Sequence, residues 1–523
     1  MNNSPNQLLI RKIFILLLGF IFAVPNLVLA QFESGKWVFG YGAGVDFTSG
    51  HPVSFVGSKM KTTEGCSVIS DSKGNLLFYT DGVSVWNKNN VLMPAGNNLN
   101  GNFSSTQSAI IVPKPESKTL FYIFTMDWEA NKGGFCYSLV DITKEQGLGD
   151  IIQKNQLINE LCTEKLIATK HANNKDIWVI IHEFNSNAFL AYLLTKNGLS
   201  QNPVISNVGI KYKETIYNTI GYMKLSTDKK RLAVAVNGDR IVQIFDFDQK
   251  TGLISNPVTI TFDSGFNPYG VEFSPNSDLL YIGLVSKGMI YQVNLKAGNE
   301  SDIQKSMTLI GKSSTDKVFG ALQLGIDGKI YIAEYQSRYL SSITNPNIPG
   351  KGCSFKSQAL FLNTNTSMLG LPVFYQDYIK QLNPNDYVKS DNAIQKTSTG
   401  SKNTEVNKKQ VLNNVYFDFN KATLRNDVAE ELKQLADYLN KNTKLTIEII
   451  GHTDSIGSTE YNNRLSLVRA KQIGAFLIEK GIEKSRITYD YKGSSEPVAP
   501  NNNESGRQKN RRVEFILKDP QTP

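Results

Sequence analysis

Short apolar runs separated by polar turns fill the chain from Gln31 to about Tyr378. Runs rich in Val, Ile, Phe and Tyr alternate with clusters of Gly, Asn, Asp, Ser and Lys, a pattern that predicts many short β-strands. A longer period is laid over this one. A polar turn followed by an apolar strand recurs: Asp71–Asn75 before LLFYT, Glu116–Thr119 before LFYIF, Asn173–Asp176 before IWVII, Thr227–Arg231 before LAVAV, Pro275–Asp278 before LLYIG and Ile326–Lys329 before IYIAE. Successive strands start 44 to 57 residues apart, from Leu76 through Leu120, Ile177, Leu232 and Leu279 to Ile330. That period, with about four strands per unit, predicts a β-propeller over residues 31–380. Lys36–Gly40 and Gly44–Phe47 look like strands without an inner partner, and Leu369–Phe374 like an inner strand without outer ones. Joined, they make a seventh blade that closes the ring and removes free sheet edges.

The texture then changes twice. Residues 381–410 are polar and charged with almost no periodic apolar positions, which predicts a flexible linker. Residues 411–519 alternate strand and helix patterns: VYFDF, a helix carrying Val428, Leu432, Leu435 and Leu439, LTIEII, a second helix from Ser458 or Thr459 with Leu465, Ile473 and Leu477, then ITYDY and RRVEFIL. The expected fold class is therefore multidomain, an all-β seven-bladed propeller followed by a βαβαββ α/β sandwich. At the other end, Arg11 and Lys12 precede an apolar run from Ile13 to Val24, Pro25 breaks it, and Val28-Leu29-Ala30 ends it in small residues. Residues 1–30 thus read as a cleaved secretory signal peptide. Membrane strands would run about 9 to 11 residues with a lipid-facing alternation; the shorter runs here favour a soluble propeller over a membrane barrel.

Candidate chemistry concentrates in GHTDSIGSTEYNNRLSLVRA, residues 451–470. Asp454 sits where a strand hands the chain to a helix, and Arg469 lies 15 residues on, inside that helix. Placed so, a carboxylate and a guanidinium can face one cleft and suit a ligand carrying both an ammonium and a carboxylate. Each has a plainer reading. Asp454 alone would favour the positive end of the following helix, and Arg469 alone would be a solvated helix residue. His452 reads as a hydrogen-bonded structural histidine. Arg507, Lys509, Arg511 and Arg512 read mostly as solvated surface.

Val415–Asn420, Gly451–Asp454, Tyr461-Asn462, Leu465–Ala470 and Asn510–Val513 together resemble the OmpA-like peptidoglycan-binding family, in its order and at its separations. The resemblance covers about the last fifth of the chain. It implies a non-catalytic domain that grips the diaminopimelate of the peptidoglycan stem peptide, with Asp454 taking the ligand ammonium and Arg469 its carboxylate. Asn420, Asn462 and Arg511 match positions lining the same pocket. The preceding region resembles propeller-like exported proteins of Bacteroidetes-type bacteria, carried by Trp37–Gly40 through Asp46-Phe47, Glu64–Cys66, Leu77–Gly82 with Trp86-Asn87, Ser104–Ser108 and Gly370–Pro372. That likeness implies architecture rather than a ligand.

Charge and cysteines narrow the function classes. The net charge of +9 is modest for 523 residues and is not gathered into a nucleic-acid patch. Cys66, Cys136, Cys162 and Cys353 lack a CxxC spacing, so a metal site is not expected and buried free thiols are. There is no G-x-S-x-G, H-E-x-x-H or P-loop, and nothing calls for a cofactor. His182-Glu183, at the end of IWVII, reads as a strand-end polar pair. The expectation is a periplasmic or outer-membrane envelope protein that binds peptidoglycan and holds the propeller for a protein partner. A secretion or motility assembly is a special case resting on analogy. The alternative is a wall-anchored propeller enzyme of hydrolase or lactonase type.

Overall fold

The computed structural model describes residues 32–50, 52–212, 215–315, 317–379, 415–416, 429–457 and 459–518. The expected signal peptide, the 381–410 linker, Asn420 and Val428 lie outside the described residues. The chain divides into two compact units, residues 1–396 and 397–523.

Seven small antiparallel sheets follow one another along the first unit, with three, three, four, five, four, four and four strands. Their first strands are β1 (Lys36–Phe39), β2 (Ser67–Ser70), β3 (Ala109–Pro113), β4 (Cys162–Lys170), β5 (Met223–Leu225), β6 (Pro268–Phe273) and β7 (Phe319–Leu324). The recurring apolar runs are the second strands of the second to seventh sheets, and the polar turns connect first strand to second. Alternation is faint because many strands are covered on both faces; Leu279–Leu284 and β7 are buried at every position. Such strands read as continuous apolar runs.

Buried polar side chains stitch consecutive first strands together. The Gln107 amide donates to the carbonyls of Leu166 (2.9 Å) and Met223 (3.2 Å) and accepts from the Met223 amide (2.8 Å). Lys224 pairs with Glu272 at 3.1 Å and also donates to Gln323. The Trp37 ring meets Tyr331 edge-on at 5.6 Å, so the seventh sheet touches the first.

Leu369–Phe374 does not supply a ladder strand to Lys36–Phe47. The three strands of the first sheet pair among themselves, and the segment runs as a strap alongside other first strands. Pro372 and Phe374 make isolated parallel bridges to Cys66 and Ile111, and the Leu369 carbonyl accepts from the Ala321 amide at 2.7 Å. A proline without an N–H cannot sustain a ladder. Gly370 permits the close approach, since a Cβ there would stand 1.7 Å from the Glu64 carbonyl oxygen.

The second unit contains β8 (Val415–Tyr416), α1 (Ala429–Lys441), β9 (Thr446–His452), α2 (Thr459–Glu479), β10 (Ile487–Gly493), α3 (Glu504–Asn510) and β11 (Arg512–Lys518). The sheet order is β8-β11-β9-β10, with β9 and β10 parallel and the other pairings antiparallel. This is the mixed sheet expected, with α3 added in a polar stretch that lacks an apolar stripe. Leu432, Leu435 and Leu439 of α1 and Ile473 and Leu477 of α2 share one core with Ile447 and Ile449 of β9.

Candidate functional site

Close packing of α2 on β9 builds the site. A Cβ on Gly451 would lie 2.0 Å from the Ser466 carbonyl oxygen, so glycine lets the helix settle onto the strand. Ser466 Oγ also accepts from the Gly493 amide at 3.2 Å, which fixes α2 against β10. Arg469 follows Ser466 by just under one turn, and its Nη1 donates to the His452 carbonyl at 3.1 Å. Arg469 is fully enclosed, at 0% exposure, rather than a solvated helix residue. Asn462, seven residues earlier on the same helix face, is buried too.

Asp454 lies two residues beyond β9 and is 3% exposed. Its Oδ1 accepts from the Ile456 amide at 3.0 Å, and its Oδ2 receives Arg511 Nη1 at 2.7 Å. Arg511 is equally buried and divides its guanidinium, with Nη2 reaching Glu504 at 2.6 Å and also Gln508. Burial alone would raise the Glu504 carboxyl, but the Arg511 hydrogen bond and the Arg511 and Arg507 charges outweigh it and hold the group below its ordinary value. Asp454 and Arg511 thus form a buried pair just beyond β9, Arg469 is buried on the carbonyl of that strand's last residue, and exposed Ser455, Ile456 and Gly457 follow Asp454. Asn420 lies outside the described residues.

Two expectations need correcting. Of the basic cluster, Arg511 and Arg512 are buried, because Arg512 folds back on Glu514, two residues along the same strand face, at 2.7 Å. His452 is buried, but neither ring nitrogen has a hydrogen-bond partner; Glu514 stands 3.9 Å from Nε2. Burial first, and then the Arg512 charge, lower its pKa to about 4. Glu504 and Gln508 were missed as partners of Arg511. Their only sequence signal is the helical spacing of Glu504, Arg507 and Gln508 behind Asn501–Asn503.

In the first unit, His182 is sequestered. It is 0% exposed, stacks on Tyr212 at 4.1 Å and meets Phe189 edge-on. Burial and then the Lys165 charge lower its pKa to about 3. All four cysteines are buried and free.

Residues 416–511 match the model of the OmpA family. The C-terminal unit carries an OmpA-family domain. One stretch is 42% identical over 102 residues to outer membrane protein A of Bordetella avium, covering 20% of this chain and 53% of that protein. Another alignment is 39% identical over 104 residues to the peptidoglycan-associated lipoprotein of Buchnera aphidicola subsp. Baizongia pistaciae, covering 20% and 60%. Among solved structures, the peptidoglycan-associated lipoprotein from Burkholderia pseudomallei is 30% identical, with a TM-score of 0.20, covering 20% of this chain and 89% of that one. This chain spans 53% and 60% of the first two relatives, so the likeness describes the OmpA-family domain and not the whole protein. Among the described residues, no helix is long and apolar enough to cross a membrane.

Proposed function

We propose that this is a non-catalytic cell-envelope protein whose OmpA-family domain binds peptidoglycan through the diaminopimelate of the stem peptide. The domain's relatives include proteins named for the outer membrane and for peptidoglycan association. The observation that carries the reading is the opposed charge at the end of β9. Asp454 is fixed by the Ile456 amide and Arg511, and Arg469 is held on the carbonyl two residues before it. A ligand ammonium takes the remaining lone pairs of Asp454, and its carboxylate takes the Arg469 fork, with Asn462, Arg511 and Asn420 around them. Arg511 holds the carboxylate in place before any ligand arrives.

The first unit is then the cargo of this anchor. We read its seven sheets as blades of a closed propeller, supported by the serial stitching of the first strands and by the contact of Trp37 with Tyr331. Held at the periplasmic side of the outer membrane, it serves as an interaction module for an envelope protein.

The test is co-sedimentation of the full chain with purified peptidoglycan. Asp454→Asn and Arg469→Lys are each expected to lose on the order of 2–5 kcal/mol of binding, since one removes a charge and the other a two-pronged contact. Arg469 is enclosed, so each variant is checked for an unchanged helical circular dichroism signal. Lys480→Ala, at an exposed side chain, should bind normally. Wild-type sedimentation by both folded variants would sink the assignment.

A further inference from the structure

The backbone on either side of Asp454 is held by a different part of the second unit. Upstream, the Thr453 amide donates to the Gly493 carbonyl, the last of β10, at 2.7 Å. Downstream, the Ser455 amide donates to Asn501 Oδ1 at 3.1 Å. The carboxylate between them is aimed by the Ile456 amide and by Arg511. The downstream hold comes neither from β9 nor from α2. It comes from a loop, residues 498–501, whose Asn501 is 46 residues from Ser455 in the chain.

A loop is a poor reference point for a binding geometry unless something rigid holds it. Here Asn510, at the end of α3, does so. Its side chain is 0% exposed, and an amide offers two N–H donors and an oxygen with two lone pairs. All four are used. Oδ1 accepts from the amides of Val498 and Ala499 at 2.8 and 3.0 Å, and Nδ2 donates to the Ala499 carbonyl at 2.8 Å and to Asn501 Oδ1 at 2.9 Å. Arg507 Nη1 adds a bond to the Asn501 carbonyl at 3.0 Å. Gly506 lets α3 lie against the loop, since a Cβ there would stand 1.8 Å from the Pro500 carbonyl oxygen.

Asn501 Oδ1 therefore takes two donors at once, one from Asn510 and one from the turn of Asp454. A flipped amide would set N–H groups against both donors, so the orientation of this side chain is fixed. Asn510 also precedes Arg511 in the chain. These two neighbours reach one turn by separate routes: Arg511 grips the carboxylate itself, and Asn510 holds, through Asn501, the peptide that follows it. Neither Asn501 nor Ser455 belongs to the apolar core of the unit, and Ser455 is exposed. The bond between them orders the turn rather than the core.

We propose that Asn501, braced by Asn510, is a positioning residue for recognition of the ligand ammonium: it fixes the backbone beyond Asp454 so that the carboxylate meets the ammonium in a set place. The proposal rests on the reading of Asp454 as the acceptor of the diaminopimelate ammonium, and it says how that acceptor is kept in register with Arg469. Binding groups need placement within about 0.5 Å to act together. Arg469 is carried by α2 and bonded to the His452 carbonyl, so the carboxylate end of the ligand is held without the loop. Loss of the Asn501 bond then harms one end of the ligand and spares the other.

The test titrates the full chain with two peptides and follows the ligand resonances by NMR. One is L-Ala-γ-D-Glu-meso-diaminopimelate. The other carries 2-aminopimelate in the last position, which keeps the terminal carboxylate and lacks its ammonium. The wild type is expected to prefer the first by about tenfold or more. Asn501→Ala should cut that preference by about threefold or more, the worth of one hydrogen bond, through weaker binding of the first peptide alone. Asn501→Asp keeps both acceptor bonds and should keep the preference; a reduced preference there would overturn the hydrogen-bond route. Asn501→Gln keeps the amide but moves it by one methylene. It should show the same selective loss as Asn501→Ala, and it carries the comparison if Asn501→Ala loses its helical circular dichroism signal. Equal weakening of both peptides, or an unchanged preference, would overturn the positioning role and leave the ammonium reading of Asp454 standing. Equal binding of the two peptides by the wild type, or binding of neither, would overturn that reading and this proposal with it.

Discussion

His452 carries a buried, uncompensated ring in the second unit. Both nitrogens are buried without a hydrogen bond, and protonation would place a cation beside Arg512. Its folded pKa of about 4 lies below the ordinary 6.5, so the unfolded chain binds a proton more readily than the folded one. The stability linked to this residue is fully present above pH 6.5 and is lost as pH falls from 6.5 towards 4, with a total of about 3 kcal/mol. Urea unfolding followed by helical circular dichroism reports the second unit, which holds the long helices. The wild type is expected to lose stability over that window, and His452→Gln to lose less by that amount. Parallel profiles for the two proteins would refute the assignment. Arg511 shows the opposite device. It is buried with two carboxylates and an amide around it, so removing either acid leaves its charge short of partners.

At the scale of elements, the strap from Leu369 to Phe374 does more than a missing blade strand would. It bonds to Thr63, Cys66 and Ala321 and bridges to Ile111, and so ties together the second, third and seventh sheets. Gly370→Ala would force a methyl against the Glu64 carbonyl, which is backbone and cannot rotate away. The expected cost is about 3 kcal/mol, read as a lower midpoint of tryptophan-detected unfolding, since Trp37, Trp86, Trp128 and Trp178 all lie in the first unit. An unchanged midpoint would show that the strap yields. The repeating second strands were legible because each follows a polar turn and is covered on both faces. The strap was not, because GLPV has the composition of a strand and only its proline argues against a ladder. Asp454 and Arg469 were legible because a β-branched strand, a turn and a helical stripe surround them. The resemblance put Arg511 in the pocket of Asp454, 57 residues away; the hold of Glu504 and Gln508 on Arg511 was not legible, because it depends on a short polar helix without an apolar stripe.

For the whole molecule, the two units carry separate cores. Leu432 to Phe515 form one cluster confined to the second unit, and the large cluster running from Phe32 to Ile379 is confined to the first. Hydrophobic stabilisation follows buried apolar area, so each core is expected to hold without the other. The proposed division of labour then makes a quantitative demand. A fragment of residues 397–523 should sediment with peptidoglycan as well as the full chain does, while residues 31–396 should remain in the supernatant. The single change Asp454→Asn should abolish sedimentation of the fragment and of the full chain to the same extent, because no second wall contact is proposed. If residues 31–396 sediment on their own, or if the full chain keeps substantial binding when Asp454 is replaced, wall binding is shared between the units. The first unit would then be part of the anchor and not what the anchor holds.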